Sequence, residues 1–145
     1  MDFFVNLRNL VRQHLHDPRE FNIDEAKIWL QTNISSDYLI VSDNDSETKI
    51  GYWRIKLLDK FNLQIGLDIH PNFQGTGNAT RIYTCMFKHW ELNKDLKLLS
   101  LQVLSKNTRA INLYKKMGFI IKNISKIEIN GEIVENIDMT KVINS

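Results

Sequence analysis

The chain has 145 residues, of which 43% are hydrophobic and 25% charged, and its formal net charge is +2. This length suits one domain, and this composition is typical of a globular protein rather than a disordered or fibrous one. The small net charge and the scattered Lys and Arg residues argue against a nucleic-acid-binding surface, and no apolar run approaches the ~20 residues of a membrane span.

We therefore expect a single domain over residues 1–145, with neither nucleic-acid nor membrane partners, which could also be one domain of a longer protein. The N-terminus has no apolar core of signal-peptide length, and Cys85 is the only cysteine. A single cysteine cannot form an internal disulfide, which agrees with a reducing compartment. We expect a cytoplasmic protein in which Cys85 is a small buried side chain rather than a nucleophile.

The first half of the chain predicts two helices followed by three strands. Apolar positions at helical spacing over residues 2–16 indicate the first helix. The second helix covers residues 22–30, where Asn22 and Glu25 form a capping-box pattern. Three short apolar runs with β-branched residues indicate strands, at 37–42, 49–57 and 63–69.

The second half predicts a helix, a strand, another helix and a hairpin. The clearest periodic signal is an apolar stripe at steps of three and four, formed by Ala79, Ile82, Tyr83, Met86, Phe87 and Trp90. Residues 98–104 indicate a buried strand, and a helix then begins at Asn107 and ends at Gly118. Asn130-Gly131 favours a two-residue hairpin turn between the last strands. This order indicates an α+β domain with a mixed, mostly antiparallel sheet flanked by helices.

The segment "IHPNFQGTGNATRIY", residues 69–83, places Pro71, Gly75 and Gly77 between a strand and a helix. The first turn of a helix has free amides and a partial positive charge that bind phosphate, and glycines let the oxygens approach the backbone. A dinucleotide-binding fingerprint requires a small residue where Thr80 stands, and a P-loop requires a lysine that is missing here. A tight turn without a ligand is the alternative for an isolated pair of glycines.

Two segments together resemble the GCN5-related N-acetyltransferase (GNAT) family. "IHPNFQGTGNA" resembles its acyl-CoA-binding signature, and "NTRAINLYKKMGF", further downstream, resembles its second signature. The resemblance covers about residues 36–142. It implies the GNAT fold, in which the strand before the glycine loop bulges and splays from the next parallel strand. It also implies an N-acetyltransferase that uses acetyl-CoA as co-substrate and requires no metal.

The resemblance implies a role for each matching position. Ile69 would offer backbone groups to the pantetheine arm and the thioester carbonyl, Asn107 would hydrogen-bond the pantetheine arm, and Tyr114 would protonate the departing CoA thiolate. The pyrophosphate would be held by the backbone amides of Gln74, Gly75, Thr76, Gly77, Asn78 and Ala79. Helical spacing alone would instead make Tyr114 a core residue.

The general base is the role for which the match is weakest. Many relatives place a glutamate on the strand before the loop, where this chain has Leu63 and Gln64. Asp68 and His70 are the nearest titratable groups, and an ordered water is the alternative to both. The sequence offers no metal-ligand pattern, so we expect no metal site.

The acceptor is a primary amine, and the sequence here resembles two GNAT branches. One acetylates the N-termini of ribosomal proteins, and the other acetylates nucleotide-linked amino sugars. We expect a nucleotide-linked 4-amino-4,6-dideoxy sugar of surface-glycan synthesis. Its counter-charges would come from Arg8, Arg12, Arg19 and Arg54. Three aromatic residues either line the acceptor pocket or pack in the core: Trp29, Tyr52 and Trp53.

Several alternatives to this acceptor stay open. The acceptor could be a protein N-terminus, a polyamine or a drug, and the domain could bind acyl-CoA without catalysis. Retention of Tyr114 argues against binding alone, whereas the missing strand acid argues for it. The last two strands are also a candidate interface for a homodimer.

Overall fold

The computed structural model describes residues 2–12, 24, 37–42 and 48–145. Its helices are α1 (Asp2–Val11), α2 (Asn78–Glu91) and α3 (Thr108–Lys116). Its strands are β1 (Asp37–Ser42), β2 (Lys49–Asp59), β3 (Asn62–Ile69), β4 (Leu98–Leu104), β5 (Ile120–Ile129) and β6 (Glu132–Val142). The predicted capping box of the second helix lies outside the described residues, as do Arg19 and Trp29.

The six strands form one mixed sheet in the order β1-β2-β3-β4-β6-β5. Strands β3 and β4 are parallel, and the other four neighbouring pairs are antiparallel. The hairpin turn between β5 and β6 has positive φ at both Asn130 (50°) and Gly131 (77°), as a two-residue turn of this kind requires. These features confirm the mixed, mostly antiparallel α+β fold.

The parallel strands β3 and β4 separate after a short contact. Their pairing runs from Asn62–Leu98 to Gln64–Ser100 and ends there, although β3 continues to Ile69 and β4 to Leu104. Beyond that point β3 follows β2 and β4 follows β6, so each strand keeps one antiparallel partner. The predicted splay is therefore confirmed, and a wedge opens between the carboxyl ends of the two strands.

The predicted bulge in β3 is absent from the described β2–β3 pair. The register runs without interruption from the pair formed by Gly51 and Ile69 to the pair formed by Leu57 and Leu63. Its one shift lies next to the hairpin, between Leu57 and Asp59. The strands separate without a bulge because β4 leaves toward β6 while β3 stays hydrogen-bonded to β2.

The larger apolar core lies between the sheet and helix α2. The rings of Tyr83 and Trp90 both stand edge-on to Trp53, at centroid distances of 4.9 and 5.3 Å. All members of the predicted α2 stripe are buried or half-buried, so the stripe is confirmed. Cys85 is exposed, and the expectation of a buried thiol was wrong. It lies two residues after Tyr83, about 200° around the helix, and therefore faces away from the core.

A second, smaller apolar cluster lies under helix α1. Strand neighbours point to opposite faces of a sheet, so Trp53 enters the larger core while Tyr52 faces α1. Phe4 of α1 packs on Tyr52 and on Tyr38, with ring centroids 4.8 and 5.2 Å apart. Both candidate acceptor-pocket aromatics that the structure describes, Tyr52 and Trp53, are thus buried.

Candidate active site

A cavity of about 610 Å³ opens where β3 and β4 separate. Its walls are the ends of these two strands, the glycine loop, the start of α2 and one face of α3. The cavity-lining residues that the sequence predicted are Asp68, Ile69, Gln74, Gly75, Gly77, Ala79, Asn107 and Tyr114. Three predicted residues do not line it: His70, Thr76 and Asn78.

The glycine loop presents backbone amides to this cavity. Gly75 and Gly77 have φ values of 78° and 80°, in the left-handed region that favours glycine. Gly77 is the N-cap of α2, and the first hydrogen bond here runs from Arg81 N to Gly77 O, at 3.1 Å. The amides of residues 78–80 precede that bond and are free for an anion, in the positive end of the helix dipole.

Side chains within the loop hold its shape. The Nδ2 group of Asn78 donates to Phe73 O at 2.9 Å and to Thr76 Oγ1 at 3.0 Å. The Nε2 group of Gln74 donates to Ile69 O at 2.8 Å, which ties the loop to the end of β3. Asn78 and Thr76 therefore stabilise the loop through their side chains, and only their backbone remains for a ligand.

Arg109 is a cavity residue that the sequence analysis missed. A Cβ atom at Gly75 would lie 2.9 Å from an Nη atom of Arg109, so the guanidinium stands directly on the loop. It adds a full positive charge beside the free amides of α2. Its position in the second signature was visible in the sequence, but only the fold brings α3 next to the glycine loop.

The edge of β3 supplies further backbone donors. His70 N donates to Ile50 O at 2.8 Å, next to the last residue of β2's pairing with β3. In an antiparallel pair only every second residue of a strand bonds to the partner strand, and on this side His70 is one of them. Leu67 and Ile69 therefore direct their backbone groups away from β2, into the gap that β4 leaves. Because Ile69 O accepts from Gln74, the N–H of Ile69 and the backbone groups of Leu67 are the ones left for a ligand.

The His70 side chain has a local structural role. Its Nδ1 atom accepts a hydrogen bond from Asn72 N at 3.1 Å and so caps the 3₁₀ turn Pro71–Phe73. The imidazole also lies edge-on to Phe73, with ring centroids 6.0 Å apart. Asp68 and His70 were the two predicted titratable groups. Asp68 lines the cavity, and His70 does not.

Helix α3 holds Asn107 and Tyr114 at fixed positions. Asn107 is its N-cap, and its Oδ1 atom accepts from Ala110 N at 3.3 Å, which leaves the Nδ2 donor for another partner. The helix ends at Lys116, two residues before the predicted Gly118, which follows the C-cap Met117 with a φ of 93°. This helix end is a Schellman motif, in which Gly118 N donates to Lys115 O at 3.1 Å and Phe119 N donates to Tyr114 O at 3.0 Å. The motif fixes the backbone of Tyr114.

The hydroxyl of Tyr114 lies in a poorly solvated part of the cavity. Burial raises the pKa of this phenol, the Tyr83 hydroxyl lowers it, the charge of Asp68 raises it and that of Arg54 lowers it. The rings of Tyr83 and Tyr114 are edge-on, with centroids 5.9 Å apart. A phenol with a raised pKa stays protonated at neutral pH, as a proton donor must.

Asp68 and Arg54 face the cavity from neighbouring strands. Asp68 is half-buried, and it pairs across the sheet with Tyr52. Burial raises the pKa of Tyr52, and the negative charge of Asp68 and its hydrogen bond with the Tyr52 hydroxyl raise it further. Arg54 lies over Gly66, whose missing side chain leaves room for the guanidinium, 3.0 Å from the Cβ position.

The electrostatics of this cavity wall extend to helix α1. Burial raises the pKa of Tyr38 to about 12, and the charges of Arg54 and Arg8 oppose that shift. Of the described residues that line the cavity, Asp68 is the only acid, whereas three are basic: Arg54, Arg109 and Lys116.

No group of three His, Cys, Asp or Glu side chains in the part of the chain that the structure describes is arranged to hold a metal ion. No helix in that part has the length and hydropathy that a membrane span requires.

The sequence model of the acetyltransferase (GNAT) domain matches residues 2–120. The fold is similar to that of spermidine N-acetyltransferase from Vibrio cholerae in complex with CoA and spermine (20% identity, 97% of this chain and 88% of that chain, TM-score 0.82). It is also similar to yncA from Salmonella typhimurium with its cofactor acetyl-CoA (14%, 99% and 88%, TM-score 0.77). A third similar structure is smu.2055 from Streptococcus mutans (17%, 97% and 91%, TM-score 0.76). Comparison with curated protein sequences gave no significant match.

Proposed function

Because the chain belongs to the GNAT acetyltransferase family and is an acetyl-CoA-dependent N-acetyltransferase, we propose that its acceptor is a primary amine on an anionic small molecule. The observation that carries this proposal is that one carboxylate, Asp68, and one guanidinium, Arg54, line the same cavity from neighbouring strands, a pair that we call the acceptor wall. A carboxylate attracts the ammonium form of the amine, and a guanidinium binds phosphate or carboxylate. The nucleotide-linked 4-amino-4,6-dideoxy sugar expected from the sequence has both groups.

The donor would occupy the wedge between β3 and β4. Its pyrophosphate would contact the free amides at the start of α2 and the guanidinium of Arg109. The pantetheine arm would run along β3, with the Nδ2 group of Asn107 as a donor from the opposite side. This placement brings the thioester to the inner end of the wedge, beside Tyr114 and the N–H of Ile69.

The chemistry would then proceed by direct attack. Asp68 holds the ammonium and takes its proton, and the neutral amine nitrogen bonds to the thioester carbon. The carbonyl oxygen becomes negative, and the backbone N–H groups of Leu67 and Ile69 donate to it. The C–S bond breaks, the sulfur takes the phenolic proton of Tyr114, and the nitrogen releases its second proton to water. The products are the N-acetylated amine and free CoA, and no covalent enzyme intermediate forms.

A polyamine is the second candidate acceptor. The observation that favours it is the similarity to a spermidine N-acetyltransferase structure that contains CoA and spermine. The basic residue Arg54 argues against it, since a polycation would be repelled at the wall where its amine must bind.

We place the reaction in the cytoplasm, because the exposed thiol of Cys85 suits a reducing compartment.

The test is CoA release from acetyl-CoA across matched acceptors. The set contains UDP- and dTDP-linked 4-amino-4,6-dideoxy sugars, the same sugars without nucleotide, N-terminal peptides and spermidine. We expect kcat/KM to be about tenfold or more higher with the nucleotide than without it, the effect of one charged hydrogen-bond pair. Arg54→Gln should abolish this preference. The matched control is Lys56→Gln, two residues further on β2 and outside the cavity lining.

Three outcomes are informative. Loss of the nucleotide preference in Arg54→Gln alone supports the acceptor wall. A clear preference for spermidine or peptides would overturn the anionic acceptor while leaving the acetyltransferase assignment in place. Equal rates with and without nucleotide would show that Arg54 does not contact the acceptor.

A further inference from the structure

The Tyr83 hydroxyl is buried beside the cavity without a regular partner. Tyr83 is 1% exposed and lines the cavity. Within the described residues, no group meets the standard geometry of a hydrogen bond with this hydroxyl. Buried hydroxyls are nearly always paired, because an unpaired one loses its hydrogen bonds to water without replacement. Phenylalanine would fill the same space without that cost, so the oxygen atom requires an explanation.

Among the described ring contacts of Tyr83, Tyr114 is the one that carries a second hydroxyl. Trp53 and Phe87 pack against the ring, with centroids 4.9 and 5.8 Å away. Tyr114 is the remaining ring contact, at 5.9 Å and 71° between the planes. The two hydroxyls already interact, although their geometry falls short of a regular hydrogen bond.

The next question is which of the two hydroxyls donates the hydrogen bond and which accepts it. Burial dominates the raised pKa of both, but the Tyr83 hydroxyl lowers the pKa of Tyr114, whereas Tyr114 raises that of Tyr83. The buried O–H of Tyr83 has no other partner among the described residues, whereas Tyr114 is half-buried and lines the cavity, so we take Tyr83 as the donor and the Tyr114 oxygen as the acceptor. A donor stabilises the ionised form of its acceptor, which agrees with the lowering effect of Tyr83 on the pKa of Tyr114. The proton of Tyr114 is then free to point elsewhere.

We propose that Tyr83 is a positioning residue for Tyr114: its O–H donates to the Tyr114 oxygen and thereby directs the Tyr114 proton toward the thioester sulfur. This inference rests on the proposed function, in which Tyr114 protonates the departing thiolate. When the C–S bond breaks, sulfur takes that proton and the negative charge stays on the Tyr114 oxygen. Tyr83 keeps its own proton and stabilises the charge by its hydrogen bond. Tyr114 regains a proton from water after CoA leaves.

The need for such a donor follows from the acidities involved. A thiol has an ordinary pKa of about 8.5 and a tyrosine phenol about 10, so proton transfer from phenol to thiolate is unfavourable. Burial of Tyr114 raises its pKa further and makes the transfer harder. A hydrogen bond donated to the forming tyrosinate offsets part of this difference. It also requires no additional charge in the cavity.

The test compares Tyr83→Phe, Tyr114→Phe and the double variant in turnover with the best acceptor. Tyr83→Phe removes one oxygen atom and keeps the ring contacts. We expect kcat to fall about three- to tenfold, the worth of one hydrogen bond, with the KM for acetyl-CoA unchanged. In the Tyr114→Phe background the same substitution should have no further effect, because its acceptor is gone.

The pH profile separates positioning from packing. The reaction requires protonated Tyr114, so kcat falls as the pH rises through the pKa of this group in the complex. Loss of the donor raises that pKa, so the alkaline limb of Tyr83→Phe should move to higher pH. A packing defect would lower kcat without moving the limb. NMR of isotope-labelled tyrosine should show the same upward shift for Tyr114, independently of any acceptor.

The outcomes distinguish the two proposals. If Tyr114→Phe reduces kcat but Tyr83→Phe leaves both kcat and the Tyr114 titration unchanged, the positioning role is wrong and the acid assignment stands. If Tyr83→Phe shifts the Tyr114 titration but Tyr114→Phe has full kcat, the hydrogen bond exists and the acid assignment is wrong. Additive effects in the double variant would also overturn the positioning role.

Discussion

At the scale of single residues, we expect substitution of Asp68 to lower kcat/KM for the acceptor more than any other single change. The amine arrives charged and must lose a proton before it attacks, and Asp68 is the cavity-lining acid among the described residues. We expect Asp68→Asn to lower kcat/KM for the acceptor about 100-fold at neutral pH, as loss of a general base does, with KM for acetyl-CoA unchanged. The deficit should shrink as the pH rises, because more of the amine is then neutral in solution.

The control for Asp68→Asn is Asp95→Asn, which also removes one negative charge. Asp95 is exposed and does not line the cavity. Both variants should be assayed with acceptor and acetyl-CoA varied separately. Full activity of Asp68→Asn at neutral pH would rule out Asp68 as the base and favour an ordered water.

At the scale of elements, the glycine loop combines backbone strain with a binding role. An alanine at Gly75 would have an unfavourable positive φ, and its Cβ would displace the guanidinium of Arg109. We expect Gly75→Ala to lower the free energy of unfolding by about 1–2 kcal/mol and to raise the KM for acetyl-CoA. Gly131→Ala is the matched control, because Gly131 has φ 77° and open space, and it lies in the hairpin turn.

Urea unfolding and steady-state kinetics of both variants separate the two effects. Gly131→Ala should show the cost in stability alone, with an unchanged KM. An unchanged KM in Gly75→Ala would mean that neither the loop amides nor Arg109 contact the donor.

The elements that carry local signals could be predicted from the sequence. Gly75, Gly77 and Gly118 all have positive φ, and each was visible as a glycine at the end of a periodic segment. The exposure of Cys85 was missed because the expectation of burial rested on how often a free cysteine is buried, whereas its position about 200° around the helix from Tyr83 indicates the outer face. The contact between Arg109 and the loop was not predictable either, since it joins residues from different elements across the cavity.

At the scale of the whole molecule, the cavity depends on strand order rather than on local pattern. No property of residues 62–69 or 98–104 by themselves indicates that β3 and β4 pair briefly and then separate. The separation follows from the strand order, in which β6 lies between β4 and β5. Only the family resemblance predicted this wedge. The same limit applies to Tyr83, which the apolar stripe predicted as a core residue and which the fold places beside Tyr114.

The most direct test of the proposed acetyl-CoA site is an NMR titration of the backbone amides with acetyl-CoA, since it needs no knowledge of the acceptor. We expect saturable shifts that are largest in the walls of the wedge, residues 67–69, 74–80 and 107–114. Arg109→Gln should bind more weakly and shift the same residues. Largest shifts in another part of the described chain, such as the β5–β6 hairpin, would contradict the proposed site, as would the absence of saturable binding.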